Sequence, residues 1–264
     1  MFLNKYPSKN KFIEYYFIVK GEYSDYTNRE WQFFPDGRSI IVFNFGCDFV
    51  EGDSTLPRTL LSATCTETHY LRLKKGSIDV LGIKLKPFGL YPFLQNDIST
   101  ISSRIINLEE LFGEEVGELA EMVIQQDEPF EKIAILDNFL ISKNKREVSE
   151  LIQTVIEELD ISNEFHSVLT IANKFQVSRK TIERLFNQYI GISPKKYLRI
   201  QKLVRMVDLL KGKPEFDLTR LAYELGYSDQ SHFIKEFYEF TKLKPSLFQK
   251  KIPMSHFYNF EFLV

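Results

Sequence analysis

Cysteine, histidine and long apolar runs are scarce in this chain. Only two cysteines occur in 264 residues, Cys47 and Cys65. Their spacing fits no zinc or thiol-redox motif, so reduced structural thiols are expected, with a disulfide between them as the alternative. The amino-terminal half holds one histidine, His69. A histidine-ligated metal enzyme needs several together, so neither metal nor cofactor is expected and His69 reads as a structural or surface residue. There is no nucleophile motif, glycine-rich phosphate loop or well-spaced carboxylate pair, so no catalytic residue is assigned. No apolar run reaches the length of a membrane span, and the start, Met1-Phe2-Leu3-Asn4-Lys5-Tyr6-Pro7, lacks a signal-peptide core. The expectation is a cytoplasmic, non-enzymatic protein with no membrane partner.

A net charge of −2 hides an uneven distribution. Residues 165–251 hold 17 Lys plus Arg against 8 Asp plus Glu, a balance of +9, which leaves −11 for the rest. A basic carboxyl half beside an acidic amino half fits one domain that binds a polyanion and one that does not.

The basic half contains a repeat. Leu169-Thr170-Ile171-Ala172 opens one copy and Leu218-Thr219-Arg220-Leu221-Ala222 the other. Ile182 and Phe233, Phe186 and Phe237, Ile192 and Leu243, Pro194 and Pro245, and Tyr197 and Phe248 all lie 51 apart. Ala172 and Ala222 are small enough for two helices to cross closely. Ile171, Val177, Ile182 and Phe186 recur at helix-pair spacing, as do Leu221, Tyr227, Phe233 and Phe237. Gly226 marks the second turn, where Gln176 gives the first a weaker signal. Ser178 is the expected N-cap of the first recognition helix, and Ser228 or Asp229 of the second. Between the copies, Ser193 and Pro194 start a connecting helix that Gly212 and Pro214 would stop. Its Tyr197, Leu198, Val204, Val207 and Leu210 are expected to face the two units.

Each copy is a helix-turn-helix pattern, in which the first helix braces a second that enters the major groove. Subtracting buried positions leaves Ser178, Arg179, Lys180, Thr181, Glu183, Arg184 and Asn187 for DNA in the first copy. In the second it leaves Asp229, Gln230, Ser231, His232 and Lys235. Arg reads guanine and Gln adenine, whereas Ser, Thr and Lys more often hold phosphate. Lys195, Lys196, Arg199, Lys202 and Arg205 on the connector remain for solvent or phosphate.

On these residues, 167–250 resembles the DNA-binding domain of AraC-type bacterial transcription regulators. The resemblance is carried by Ser178-x-x-x-Ile182-x-x-x-Phe186, Gly191-Ile192-Ser193-Pro194-x-x-Tyr197, Gly226-Tyr227-x-x-x-Ser231-x-Phe233-x-x-x-Phe237 and Pro245-x-x-Phe248. Two departures are Lys242, where glycine is usual, and Gln249, where arginine is frequent. The resemblance implies two units joined by one long helix.

Residues 1–105 read as mostly β, with aromatic or β-branched runs at 12–20, 31–34, 38–45, 59–64, 68–74 and 80–86. Turn signals at Pro35-Asp36-Gly37, Gly46, Gly52-Asp53 and Lys75-Gly76 separate them, as in a small barrel or sandwich. Helical periodicity follows at 107–122 and 131–141, then a polar joint at 143–146 and a helix at 148–159. The segments Trp31-Gln32-Phe33-Phe34-Pro35-Asp36-Gly37 and Leu81-Gly82-Ile83-Lys84-Leu85-Lys86-Pro87-Phe88-Gly89 resemble the cupin-like amino-terminal domains of unknown function on some AraC-type regulators. Such domains sense small molecules or dimerise. Tyr16, Trp31, Phe33, Phe34 and Phe88 could line an apolar ligand pocket, although aromatics at strand spacing more often form core.

The fold expected is a multidomain α+β chain. A mostly-β cupin-like domain with two trailing helices spans 1–143, an all-α double helix-turn-helix domain spans 147–252, and a tail spans 253–264. The function expected is sequence-specific reading of two successive major grooves in double-stranded operator DNA. A small-molecule effector, a second copy of the chain and RNA polymerase are the further partners considered. The alternatives are a DNA-repair protein with an AraC-like domain and a protein-interaction module.

Overall fold

Alternation of side chains along a strand decides how the amino-terminal half is layered. The computed structural model describes residues 2–22, 30–95, 97–162, 166–210 and 217–251. One antiparallel sheet has the order β1 (Phe2–Pro7), β2 (Ile13–Glu22), β9 (Ser77–Leu85), β4 (Ile40–Asn44), β7 (Thr59–Ser62), β10 (Ile105–Asn107). A second has the order β3 (Glu30–Phe33), β8 (His69–Leu73), β5 (Phe49–Glu51), β6 (Ser54–Thr55). The larger sheet is buried on both faces. Phe17, Val19, Ile40, Val42, Leu60, Ile78 and Val80 meet Trp31, Phe33, Phe49, Leu71 and Leu73 of the smaller sheet. Their neighbours Tyr16, Ile18, Ile41, Phe43, Leu61, Leu81 and Ile83 join a second core. Gly82 pairs with Phe17, and a Cβ there would lie 1.9 Å from the Phe17 ring. The missing side chain makes room for that ring.

Helices cover the outer face: α1 (Leu108–Phe112), α2 (Glu115–Ile124), α3 (Pro129–Lys143) and α4 (Glu150–Ile161). The periodicity at 107–122 predicts one helix; Gly113, at φ 88°, divides it into two. Four strands lie outside the aromatic and β-branched runs of the sequence. β1 is a mostly exposed edge, and β5, β6 and β10 have three residues or fewer.

The carboxyl half is helical: α5 (Val168–Lys174), α6 (Arg179–Tyr189), α7 (Pro194–Leu210), α8 (Leu218–Glu224), α9 (Gln230–Thr241) and α10 (Pro245–Lys251). Gly212, Pro214 and the 253–264 tail lie outside the described residues. The second core runs without a break from the β-sheet into these helices, ending at Phe237, Phe240 and Phe248. The joint at 143–146 is packed rather than loose. Arg146 stacks on the Tyr91 ring at 3.9 Å and donates to a tyrosine hydroxyl, that of Tyr91, at 2.7 Å. Among the described residues no helix is long and apolar enough to cross a membrane.

Candidate nucleic-acid interface

Both helix pairs turn by the same device. Gln176 (φ 53°) and Gly226 (φ 70°) are left-handed, and Val177 and Tyr227 then donate to Ala172 O and Ala222 O, each at 2.9 Å. Gln176 therefore takes the conformation that glycine supplies in the second copy. The two alanines are buried where the helices cross. Ser178 caps α6, accepting from Thr181 N at 3.0 Å, and Asp229 caps α9, accepting from His232 N at 2.9 Å. That backbone donor comes first among the groups holding the Asp229 carboxyl below its usual range. Of the two caps expected for α9, the aspartate fills the position.

The caps and buried stripes orient the remaining faces. Ser178, Arg179, Lys180, Glu183, Arg184 and Asn187 are exposed on the first unit, with Thr181 half-buried. Asp229, Ser231, His232 and Lys235 are exposed on the second, with Gln230 half-buried and its carbonyl oxygen accepting from Thr219 Oγ1 at 3.2 Å. Arg184 donates to Gln188 Oε1 at 3.1 Å. An open cleft of about 1370 Å³ runs between the units, lined by Arg179, His232 and Lys235 and by Lys195, Arg199, Lys202 and Arg205 of α7.

On α7 the buried stripe is Tyr197, Ile200, Leu203, Met206, Val207 and Leu210, whereas Leu198 and Val204 are half-buried on the cleft wall. Periodicity alone did not separate these two sets, because both are apolar. The basic side chains are not all turned to solvent. Arg199 bonds Glu236 at 2.7 Å and Glu239 at 2.6 Å, and Glu236 also accepts from Tyr227 Oη at 2.9 Å. Lys202 sits over the Tyr227 ring at 4.4 Å, and burial lowers its pKa. This node ties α7 to α9. Nothing in the sequence marks it, since its partners are far apart along the chain.

The β-rich half grips the same helices. The turn from Pro35 to Arg38 is seated on α7: Gln201 donates to Asp36 O at 3.1 Å, and Gly37 lies against the Tyr197 ring. The Asp36 side chain forms a buried ion pair with Lys84. Arg38 joins Glu14 at 2.6 Å to Asp160 of α4 at 3.1 Å. Gln32 donates to Thr241 O at 2.8 Å, and Thr68 to Phe240 O, both at the end of α9. At the end of α6, Thr64 donates to Ile190 O at 3.0 Å.

The aromatic set divides between the two cores. Tyr16, Phe34 and Phe88 lie in the helix-side core, with Tyr16 donating to Asp137 at 2.9 Å and Phe34 packed 5.6 Å from Phe248. Trp31 and Phe33 lie between the sheets. Of the five, Phe33 borders a cavity of about 50 Å³ there. Cys65 is buried, Cys47 is half-buried, and both are free thiols. Among the described residues no group of three or more His, Cys, Asp or Glu side chains could hold a metal ion.

Residues 171–251 match a family described as a helix-turn-helix domain, and residues 7–107 match a domain of unknown function. An uncharacterized HTH-type transcriptional regulator of Haemophilus influenzae is 33% identical over 92 residues, covering 35% of this chain and 30% of that protein. The HTH-type transcriptional activator RhaS of Citrobacter koseri is 36% identical over 64 residues, 24% of this chain and 23% of that one. The chain thus spans under a third of the length of these curated relatives. Among solved structures, unsaturated fatty acid-bound ToxT from Vibrio cholerae aligns over 97% of both chains, at 15% identity and a TM-score of 0.47.

Proposed function

This chain belongs, through its carboxyl-terminal half, to the AraC-type helix-turn-helix regulators, and from that premise we propose that it is a transcription regulator binding operator DNA through both units. The observation that carries this reading is the pair of capped, exposed recognition faces on either side of one cleft backed by a basic helix. α7 has 17 residues, so it is about 25 Å long, a spacer on the scale of the roughly 34 Å between successive major grooves on one face of the duplex. In this reading Arg179, Arg184 and Gln230 face bases, while Ser178, Lys180, Thr181, Ser231, Lys235 and the basic groups of α7 face phosphate. Glu183, Asn187, Asp229 and His232 border the same surface.

The chain is taken to divide into a β-rich modulating domain, 1–143, and a DNA-binding domain, 147–252. An effector preferring one arrangement of the two shifts the population able to engage both grooves. The contacts of the amino half with the ends of α6 and α9 and with α7 support that coupling.

The test is recovery of genomic fragments by the purified full-length protein, with and without metabolite extract. A shared motif spanning two grooves, with affinity falling steeply as salt rises, is the expected result. No motif from folded protein, or an affinity indifferent to salt, would move the reading to protein interaction.

A further inference from the structure

One stretch of the β-rich half, the link from β7 to β8, touches both helix-turn-helix units and the helix between them. It reads Thr64-Cys65-Thr66-Glu67-Thr68, and its three threonines divide the contacts in chain order. Thr64 donates to Ile190 O, at the end of α6, at 3.0 Å. Thr66 Oγ1 accepts from Lys196 Nζ of α7 at 2.9 Å and meets the Ser103 hydroxyl. Thr68 donates to Phe240 O, in the last turn of α9. Both carbonyls belong to helix ends, where the helix itself supplies no donor. The stretch is in turn held firmly by its own half. Ala63 N donates to Arg104 O, Thr64 N to Ser39 Oγ and Cys65 N to Arg38 O, each at 2.9 Å. Cys65 O accepts from Gly37 N at 2.9 Å. Beside it, Gln32 of β3 donates to Thr241 O. Ile190 and Thr241 are 51 residues apart, the period of the repeat, so the β-rich half holds both units at the same point.

We propose that Thr64, Thr66 and Thr68 are a spacing gauge: positioning residues that fix the separation of the two units and so decide which gap between half-sites the protein accepts. The proposal rests on the reading above that both units bind one duplex. Four residues of chain span at most about 14 Å, so the two ends of the gauge cannot move apart freely. One added base pair shifts a half-site by about 3.4 Å along the duplex and turns it by roughly 35°. The Thr64 bond, at 3.0 Å, does not survive stretching by about 0.6 Å. A unit that follows DNA with a longer or shorter gap must therefore give up its threonine. At the preferred gap every bond is kept. The cost falls on the mis-spaced site alone, which is how specificity arises from a difference in affinity. Discrimination then comes from residues that need no contact with DNA.

The test uses the full-length protein and duplexes built on its recovered operator, with the gap between half-sites kept, or changed by one or two base pairs either way. The wild type should favour one gap. Thr64→Val and Thr68→Val remove the hydroxyls and keep the branched shape. In the double variant the preference for that gap should fall at least about fivefold, through relatively tighter binding of the mis-spaced duplexes. Thr64→Ser and Thr68→Ser, which keep the hydroxyls, should retain it. A merely structural role would lower affinity for every duplex by one factor and leave the preference as it was; that result would overturn the gauge. Melting curves identify a variant that fails to fold. The half-buried Thr68 position, by itself and with Gln32→Ala, then decides by the same measurement. A wild type indifferent to the gap would overturn the gauge and leave the regulator reading intact. A folded protein with no operator would overturn both.

Discussion

The side chain of Gln32, on a strand of the smaller sheet, donates a 2.8 Å hydrogen bond to the carbonyl of Thr241, the last residue of α9. The two residues are 209 positions apart. The acceptor belongs to the last turn of α9, where carbonyls have no partner within the helix. The β-rich half thus completes the hydrogen bonding of α9, a helix proposed above to face DNA. Gln32→Ala is expected to cost about 1 kcal/mol in urea-induced unfolding and to alter operator affinity. An unchanged midpoint and unchanged affinity together would show that this contact couples nothing.

Arg179 and Arg184 are exposed on α6 and contribute nothing to the core. Replacing either with alanine should weaken operator binding by about 1–3 kcal/mol if it reads a base, with melting unchanged. A loss uniform across sequences, with a shallower salt dependence, would instead mark a phosphate contact. Wild-type affinity in both variants would remove α6 from the interface.

Ala222 is fully buried at the crossing of α8 and α9. Ala222→Leu should overpack that crossing and cost about 1–3 kcal/mol. The expected readout is a lower melting temperature together with loss of DNA binding. A variant that melts and binds like wild type would misplace the crossing.

Gln176 is held at φ 53° although it is not glycine. Left-handed backbone costs a side-chain-bearing residue roughly 1–2 kcal/mol, and glycine's greater freedom in the unfolded chain offsets part of any gain. Gln176→Gly should therefore raise the unfolding free energy by up to about 1 kcal/mol. A fall would show that the glutamine side chain contributes more than its backbone conformation costs.

His69 is held up at about 10 against an ordinary value of 6.5: burial opposes the shift, and the bonds to Cys65 and Glu51 override it. A folded-state pKa above the unfolded one means stability fully present below about pH 6.5 and lost as pH rises through 10. The stability difference between wild type and His69→Phe, measured by urea unfolding, should accordingly shrink between pH 7 and pH 10. A constant difference would place the proton elsewhere.

The double helix-turn-helix was legible without coordinates because its signals are local. Small residues at a crossing, apolar residues three and four apart, a capping Ser178 or Asp229 and a glycine at a turn all act within a few positions. Aromatic and β-branched runs bounded by turn signals likewise exposed the longer strands, and edge strand β1 escaped because it is mostly exposed and carries no such run. Lys242 stood out as a departure from glycine, and the structure shows it left-handed at φ 57°, closing α9 as glycine would. Tertiary structure alone decided the rest. Which aromatics meet at one cavity depends on which face of each strand is inward in two different sheets. The Arg199–Glu236–Tyr227 node joins residues 37 apart, and the Asp36–Gln201 contact joins residues 165 apart. Pattern along a chain records what each residue needs from its neighbours, whereas these pairings arise only when the β-rich half closes onto α7 and α9.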